Sequence, residues 1–342
     1  MIRDAIARII GREHLTADEA AVVMTEIMDG EATHSQIASL LTAMRMKGET
    51  SEEIEGFVRT MREKSIRVAV SEHTEVVDTC GTGGDRLNTF NISTTAAFVA
   101  AGAGVPIAKH GNRAASSKCG SADVLEELGV NITLTAQQVS ECIAETGIGF
   151  LFAPSLHPAM KHAVAPRREM GIRTVFNLLG PMTNPAGASR QVIGVFSPEY
   201  TEIVAHVLMR LGSTHAMVFH GIDGLDEIST VGPTIISELK AGKVTTTTMD
   251  AVDLGLARAM PTELSVGSGS LQESAQALMD VLNGKHGPKR DIVLLNAAAA
   301  LVVSEKAASL EDGILKAAVS IDSGQALEKL NQLKSFSIKV AA

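Results

Sequence analysis

The stretch from Asp78 to Glu126 holds the residues best suited to chemistry. Three polar turns follow one another there: Asp78-Thr-Cys-Gly-Thr-Gly-Gly-Asp85, Asn91-Ile-Ser-Thr-Thr95, and Lys109-His-Gly-Asn-Arg113 running on through Ser116-Ser-Lys-Cys-Gly-Ser121. No carboxylate stands between Asp85 and Asp123, whereas Arg86, Lys109, Arg113 and Lys118 do, in a chain of formal net charge -9. A positive island in an acidic protein points to an anionic ligand. Glycines at 81, 83 and 84 let the backbone take positive φ and approach that ligand closely. Asn91 to Thr95 read as N-cap residues of the helix that Ala96 opens, and a helix N-terminus is suited to phosphate. Lys109 to Gly111 repeat the arrangement after the strand-like Val105-Pro-Ile-Ala108, and Ser116 to Ser121 lead into a helix over 122–128. Two strand-loop-helix units then present loops at one edge of a sheet. Gly81-Thr-Gly-Gly fits neither GxGxxG, since the sixth position is Arg86, nor a Walker loop, so alone it serves equally as a plain turn. The second and third turns favour phosphate.

Two further stretches complement this one. His157, Lys161, His162, Arg167, Arg168 and Arg173 form a basic run in which Glu169 is the one carboxylate between Glu145 and Glu199. Alone it would read as a solvated helix face, bracketed by Pro158 and Pro166. His157 and His162 are five apart, off the i, i+4 spacing of helical metal ligands, so they read as non-ligands, with His157 near a substrate channel. In Gly221-Ile-Asp-Gly-Leu-Asp-Glu227, the hard oxygens of Asp223, Asp226 and Glu227 at a strand end suit Mg²⁺ shared with phosphate. Cys80, Cys119 and Cys142 show no CxxC spacing, which argues against a disulfide framework and a zinc site.

The elements that position these groups follow from periodicity. Residues 1 to about 70 read as helices, with capping boxes at Thr16-Ala-Asp-Glu19 and Thr50-Ser-Glu-Glu53 and one apolar face at Ile37, Leu40, Leu41 and Met44. From Glu75 short β-branched runs alternate with helices, the pattern of parallel strands. Strands are expected at Gly149–Ala153, Arg190–Phe196 and His215–His220, and Thr135 caps another helix. Ala241-Gly-Lys243 marks a hairpin between 235–239 and 244–248, with helices at about 271–284, 289–305, 310–321 and 323–333. The fold class is α/β: a small N-terminal helical domain plus a larger α/β domain with a mainly parallel central sheet flanked by helices.

With 342 residues, 45% hydrophobic and 3% aromatic, the chain has room for two domains whose cores rest on Ala, Val, Ile, Leu and Met. No apolar run reaches a membrane span and the N-terminus lacks a signal-peptide core, so a soluble cytoplasmic protein without a membrane partner is expected. The acidic balance argues against nucleic acid as a partner.

Gly81-Thr-Gly-Gly-Asp85, Asn91-Ile-Ser-Thr94 and Lys109-His-Gly-Asn-Arg-Ala-Ala-Ser-Ser117 resemble the anthranilate phosphoribosyltransferases of tryptophan biosynthesis, glycosyltransferase family 3. The resemblance extends through Arg173-Thr-Val-Phe-Asn-Leu-Leu-Gly-Pro-Met-Thr-Asn-Pro185 and the 221–229 loop to nearly the whole chain. It implies transfer of a 5-phosphoribosyl group from phosphoribosyl pyrophosphate to the amino group of anthranilate, releasing pyrophosphate. Binding of phosphoribosyl pyrophosphate is implied for Gly81, Gly84, Asp85, Thr89, Asn91, Ile92, Ser93, Thr94, Lys109, His110, Gly111, Asn112, Arg113, Ala114, Ala115, Ser116, Ser117 and Ser121. Anthranilate would meet Gly81, Asn112 and Arg167, with Arg167 facing its carboxylate. One or two Mg²⁺ ions per subunit would sit at Ser93, Asp226 and Glu227, with Asp223 left open. A homodimer is implied through a helical domain of residues 1–72, joined by helices from about 158–185, with 73–342 forming the transfer domain. No covalent nucleophile is expected. The rival readings are a pyrimidine-nucleoside phosphorylase, which resembles this family in fold, and a non-catalytic nucleic-acid-binding relative.

Overall fold

The computed structural model describes residues 1–83, 88–114, 119–267 and 270–340. The expected positions Gly84, Asp85, Ala115, Ser116 and Ser117 lie outside these residues, as do Arg86 and Lys118 of the positive island.

Helices α1 (Ile2–Ile10), α2 (Ala17–Met28), α3 (His34–Lys47) and α4 (Ser51–Glu63) come first. The last three each start at a reciprocal capping box, Thr16 with Glu19, Thr33 with Gln36 and Thr50 with Glu53, which satisfies N–H groups that the helix leaves open. Strands and helices then alternate: β1 (Val77–Gly81), α5 (Ile92–Gly102), β2 (Ile107–Gly111), α6 (Ser121–Glu127), α7 (Ala136–Thr146), β3 (Ile148–Phe152), the single turn α8 (Ala153–Leu156), α9 (Lys161–Met170), α10 (Phe176–Leu179), β4 (Arg190–Gly194), α11 (Glu199–Arg210) and β5 (His215–Gly221). The hairpin β6 (Thr234–Lys240) and β7 (Lys243–Met249) precedes α12 (Pro261–Leu264), α13 (Leu271–Leu282), α14 (Pro288–Val303), α15 (Leu310–Asp322) and α16 (Gln325–Lys339).

The seven strands form one sheet in the order β3-β2-β1-β4-β5-β6-β7, parallel from β3 to β5 and antiparallel at β6 and β7. The chain winds one way from β1 to β3 and the other way from β4, so the order reverses between β1 and β4, where α/β sheets hold ligands. Side chains alternate between faces: Val192, Met217 and Phe219 join the core under α5 and α14, while Ile193, Ala216 and Val218 join the core that α11 shares with the N-terminal helices. Ala163 of α9 and Phe176 of α10 lie in that second core. Few aromatics are needed because backbones approach closely; a Cβ at Gly313 would stand 2.8 Å from Cα of Ala298. No helix among the described residues is long and apolar enough to cross a membrane.

Several boundaries differ from expectation. The first strand begins at Val77 and carries Gly81 as its last residue; β2 starts at Ile107, which moves Lys109 out of the loop and into the strand. Helix α5 begins at Ile92, so Ser93 and Thr94 lie inside its first turn. Asn91 precedes that helix without a side-chain capping bond, and α6 opens at Ser121. Pro166 does not close α9 but sits inside it. It removes one N–H while the helix continues to Gly171, whose left-handed φ of 62° ends it.

Candidate active site

Parallel register brings the strand ends together. Gly81 pairs with Gly194, Gly194 with Phe219, and Gly111 with Phe152, so the loops after β1, β2, β3, β4 and β5 leave from one edge. The loop after β5 folds back across the β1–β4 switch point. Asp226 Oδ2 accepts the backbone N–H of Gly83 at 2.7 Å, and Glu227 Oε1 accepts that of Ser93 at 3.1 Å. Two glycines make this approach possible. A Cβ at Gly194 would stand 1.7 Å from the carbonyl oxygen of Asp226, and one at Gly81 would stand 2.6 Å from Asp226 Oδ2. Asn296, from α14, holds the loop from below: its Oδ1 accepts Ile228 N–H and its Nδ2 donates to Ile228 O, both at 2.9 Å.

Asp223 has a different task. Its Oδ2 accepts Ser229 Oγ–H at 2.5 Å and its Oδ1 accepts Leu225 N–H at 3.3 Å, so it closes the loop internally. The oxygen groups that this loop brings beside α5 are the two carboxylates at 226 and 227 and the hydroxyl of Ser93. Hard oxygens on a loop facing polar turns fit Mg²⁺ that completes its shell with ligand oxygens.

The polar turns around β1, α5 and β2 lie beside this pair. Thr94 Oγ1 is buried, with no hydrogen-bond partner among the described residues. Thr79 Oγ1 donates to Ser93 O at 3.3 Å, tying β1 to the first turn of α5. Lys109 is buried and its Nζ donates to the Thr79 carbonyl. Asn91 is held from the third turn: its Nδ2 donates to Cys119 O at 3.4 Å and its Oδ1 accepts Cys119 Sγ–H at 3.3 Å. Ser121 Oγ donates to Asn112 O at 3.3 Å, and Gly111 leaves room for that hydroxyl and the Phe150 ring. Thr89 pairs with Ser265 at the outer side of the first loop.

The Arg113 side chain does not join this group. Its guanidinium donates to Asp123 Oδ1 at 3.0 Å and to both oxygens of Glu126, on the exposed face of α6. The same Asp123 accepts the N–H groups of Ala114 and Gly120 through Oδ2, so these acids shape the loop. Arg167 is the contrasting cation. Its guanidinium lies 5.1 Å from the centroid of the Phe176 ring, and burial pulls its pKa down, the mark of a cation poorly solvated.

Next to Lys109, the rings of His110 and His157 lie 5.1 Å apart, both buried. Burial pushes His110 down to about 3, helped by His157, and His157 down to about 4, so both are neutral near pH 7. Burial raises the Cys119 thiol to about 11 and pushes Cys80 up as well, which leaves both poor nucleophiles. Sequence reasoning gave no role to Gly194, Thr79 or Asn184, although Thr79 lies in the first polar turn and Asn184 in Thr183-Asn-Pro185 before β4.

The chain matches two family models, the glycosyl transferase family helical bundle domain over residues 3–65 and the glycosyl transferase family a/b domain over residues 73–327. The anthranilate phosphoribosyltransferase of Pelotomaculum thermopropionicum is 54% identical over 336 residues, 98% of this chain and 96% of that protein. That of Symbiobacterium thermophilum is 54% identical over 328 residues, 96% of this chain and 95% of that protein. Among solved structures, the enzyme of Thermus thermophilus superposes with a TM-score of 0.91 at 42% identity, covering 98% of this chain and 99% of its own. The Saccharomyces cerevisiae enzyme in complex with phosphoribosyl pyrophosphate and Mg superposes with a TM-score of 0.89 at 27% identity, covering 99% and 98%. Matched across nearly its whole length, the chain belongs to the glycosyl transferase family and, within it, to the anthranilate phosphoribosyltransferases.

Proposed function

We propose that the chain transfers the 5-phosphoribosyl group of phosphoribosyl pyrophosphate to the amino nitrogen of anthranilate, giving N-(5-phosphoribosyl)anthranilate and pyrophosphate. The observation that carries this reading is the docking of Asp226 and Glu227 onto the backbone N–H groups of Gly83 and Ser93, which sets two acidic oxygens beside the phosphate turns.

Carbon 1 of the ribose loses pyrophosphate through an oxocarbenium-like state, so the site must hold departing negative charge and place the amine behind it. Ser93, Asp226 and Glu227 hold Mg²⁺, which neutralises charge on pyrophosphate. Asn91, Ile92, Thr94, Lys109 and the 110–114 turn hold the donor's phosphates and ribose, and Asn112 and Asp123 shape that turn by accepting the N–H groups of Arg113 and Ala114. Thr89 and Ser121 border them. Arg167 pairs with the anthranilate carboxylate between Gly81 and Asn112. An aromatic amine of low basicity is unprotonated at neutral pH, and the thiols nearby are held protonated, so catalysis rests on positioning and electrostatics. One or two Mg²⁺ ions serve each subunit.

We also place residues 1–72 with the 158–185 segment as a helical domain, 73–342 as the transfer domain, and a homodimer contact on the helical side. Ile10 on α1 and Met46 on α3, both exposed on two helices that pack together, support that contact. The protein is read as cytoplasmic. Consumption of anthranilate that requires both phosphoribosyl pyrophosphate and Mg²⁺ tests the function.

A further inference from the structure

The strands β1 and β2 separate at the edge of the site. They share one register pair, Val77 with Ile107, whereas β1 pairs with β4 over five residues and β2 with β3 over five. Side chains close the split. Asp78 Oδ1 accepts the N–H of His110 at 3.0 Å, a bond that a β1 carbonyl would accept in a regular ladder. Lys109 Nζ crosses the other way onto the Thr79 carbonyl, with Thr79 Oγ1 at 3.4 Å. Asn184 Nδ2 donates to Ala108 O at 2.8 Å.

Asp78 is fully buried, which is costly for a carboxylate. Burial drives its carboxyl up to about 6, while the nearby Asn184 amide, the charge of Lys109 and the N–H of His110 pull it back, and its Oδ2 has no hydrogen-bond partner among the described residues. The titratable groups around it are Lys109 and His110 on β2, Cys80 beside it on β1, His157 behind the His110 ring and Asp226 beyond Cys80. An asparagine would accept the same N–H at lower burial cost. What aspartate adds is charge, and Lys109, whose Nζ donates to the carbonyl of the next residue, Thr79, is the cation held near it.

We propose that Asp78 is a positioning residue for the donor phosphates: from inside the β1–β2 split it fixes Lys109 and the turn after His110 without touching substrate itself. The proposal rests on the reading of Lys109 as a phosphate ligand. Its test compares Asp78→Asn, Lys109→Ala and the double variant in steady-state kinetics. Asp78→Asn should raise the KM for phosphoribosyl pyrophosphate about 10-fold, the effect of one weakened charge contact, with kcat and the KM for anthranilate little changed. The double variant should be no worse than Lys109→Ala, since the asparagine keeps the bond to His110 and loses only the charge, which acts through Lys109. In the wild-type protein that KM should climb as pH falls through about 6, where Asp78 takes its proton, and in Asp78→Asn it should not. An unchanged KM, effects that multiply in the double variant, or an equal rise in both KM values with a lowered melting temperature overturns the proposal. If the wild-type protein consumes no anthranilate, the proposed function fails by itself. Calorimetric binding of Mg²⁺-pyrophosphate then decides on Asp78: weaker binding by Asp78→Asn supports the proposal, and equal binding or none by the wild-type protein overturns it.

Discussion

Gly83 donates its backbone N–H to Asp226 Oδ2 at 2.7 Å, joining the first phosphate turn to the acidic loop 143 residues later. The bond orients one carboxylate oxygen beside the first turn of the site. Asp226→Asn keeps an acceptor for Gly83 but lowers the negative charge. Turnover should fall about 100-fold or more, and the Mg²⁺ concentration for half-maximal rate should rise. Glu227→Gln should behave alike. A magnesium titration of initial rates checks this, and an unshifted midpoint in both variants would remove the metal assignment.

Gly194 makes that geometry possible by having no side chain. Alanine there would set its Cβ 1.7 Å from the Asp226 carbonyl oxygen, and neither backbone can yield cheaply. Gly194→Ala should cost about 1–3 kcal/mol of stability in urea unfolding and weaken Mg²⁺ dependence with it. Gly232→Ala, with nothing within 4 Å of the new Cβ, is the control and should stay within about 0.5 kcal/mol.

Arg167 lies over Phe176 with its charge poorly solvated, so an anion should gain by pairing with it. A charge-assisted contact is worth about 1.5–3 kcal/mol, so Arg167→Ala should raise the KM for anthranilate roughly 10- to 150-fold and leave that for phosphoribosyl pyrophosphate nearly unchanged. Arg167→Lys should recover part of the loss, because it keeps charge without the planar fork. Substrate-saturation curves for both substrates separate these outcomes.

The buried imidazoles give stability a pH dependence of known sign. His110 and His157 are pushed to about 3 and about 4, below the ordinary 6.5, so between those values the unfolded chain binds protons that the folded one does not. Stability should therefore fall as pH drops from 6.5, by up to about 1.4 kcal/mol per pH unit for each ring. Asp78 acts oppositely: its raised carboxyl binds a proton in the folded state between its ordinary 3.8 and about 6. Melting temperatures from about pH 4 to 7 should thus show a shallower acid loss in His157→Asn than in the wild-type protein and a steeper one in Asp78→Asn.

Much of the fold is legible because its signals are local. The boxes at Thr16, Thr50 and Thr135 place helix starts through contacts three residues apart, and Ala241-Gly-Lys243 marks the β6–β7 hairpin. The α/β class and the family could be read from motifs in chain order. What escaped depends on distant residues. Lys109 looks like a loop lysine until Asp78 and Thr79 of another strand make its burial tolerable. The ion pairs of Arg113 were not legible either, since α6 sets Asp123 and Glu126 beside its guanidinium. Pro166 looks like a helix boundary because a proline inside a helix is disfavoured locally, while the packing of Ala163 and Pro166 on the neighbouring helices keeps α9 continuous. Gly194 carried no polar signal, since its part is to leave space for a loop more than thirty residues on.

The central claim is that Asp226, Glu227 and the turns at 81–83, 91–94 and 109–114 form one phosphoribosyl-transfer site. The most direct measurement is the fluorescence of anthranilate mixed with the purified protein and phosphoribosyl pyrophosphate, with and without Mg²⁺. Fluorescence should be lost only when both the donor and Mg²⁺ are present, and should persist in Asp226→Asn/Glu227→Gln. Undiminished fluorescence with all components present, or an equal loss in the double variant, would contradict the claim.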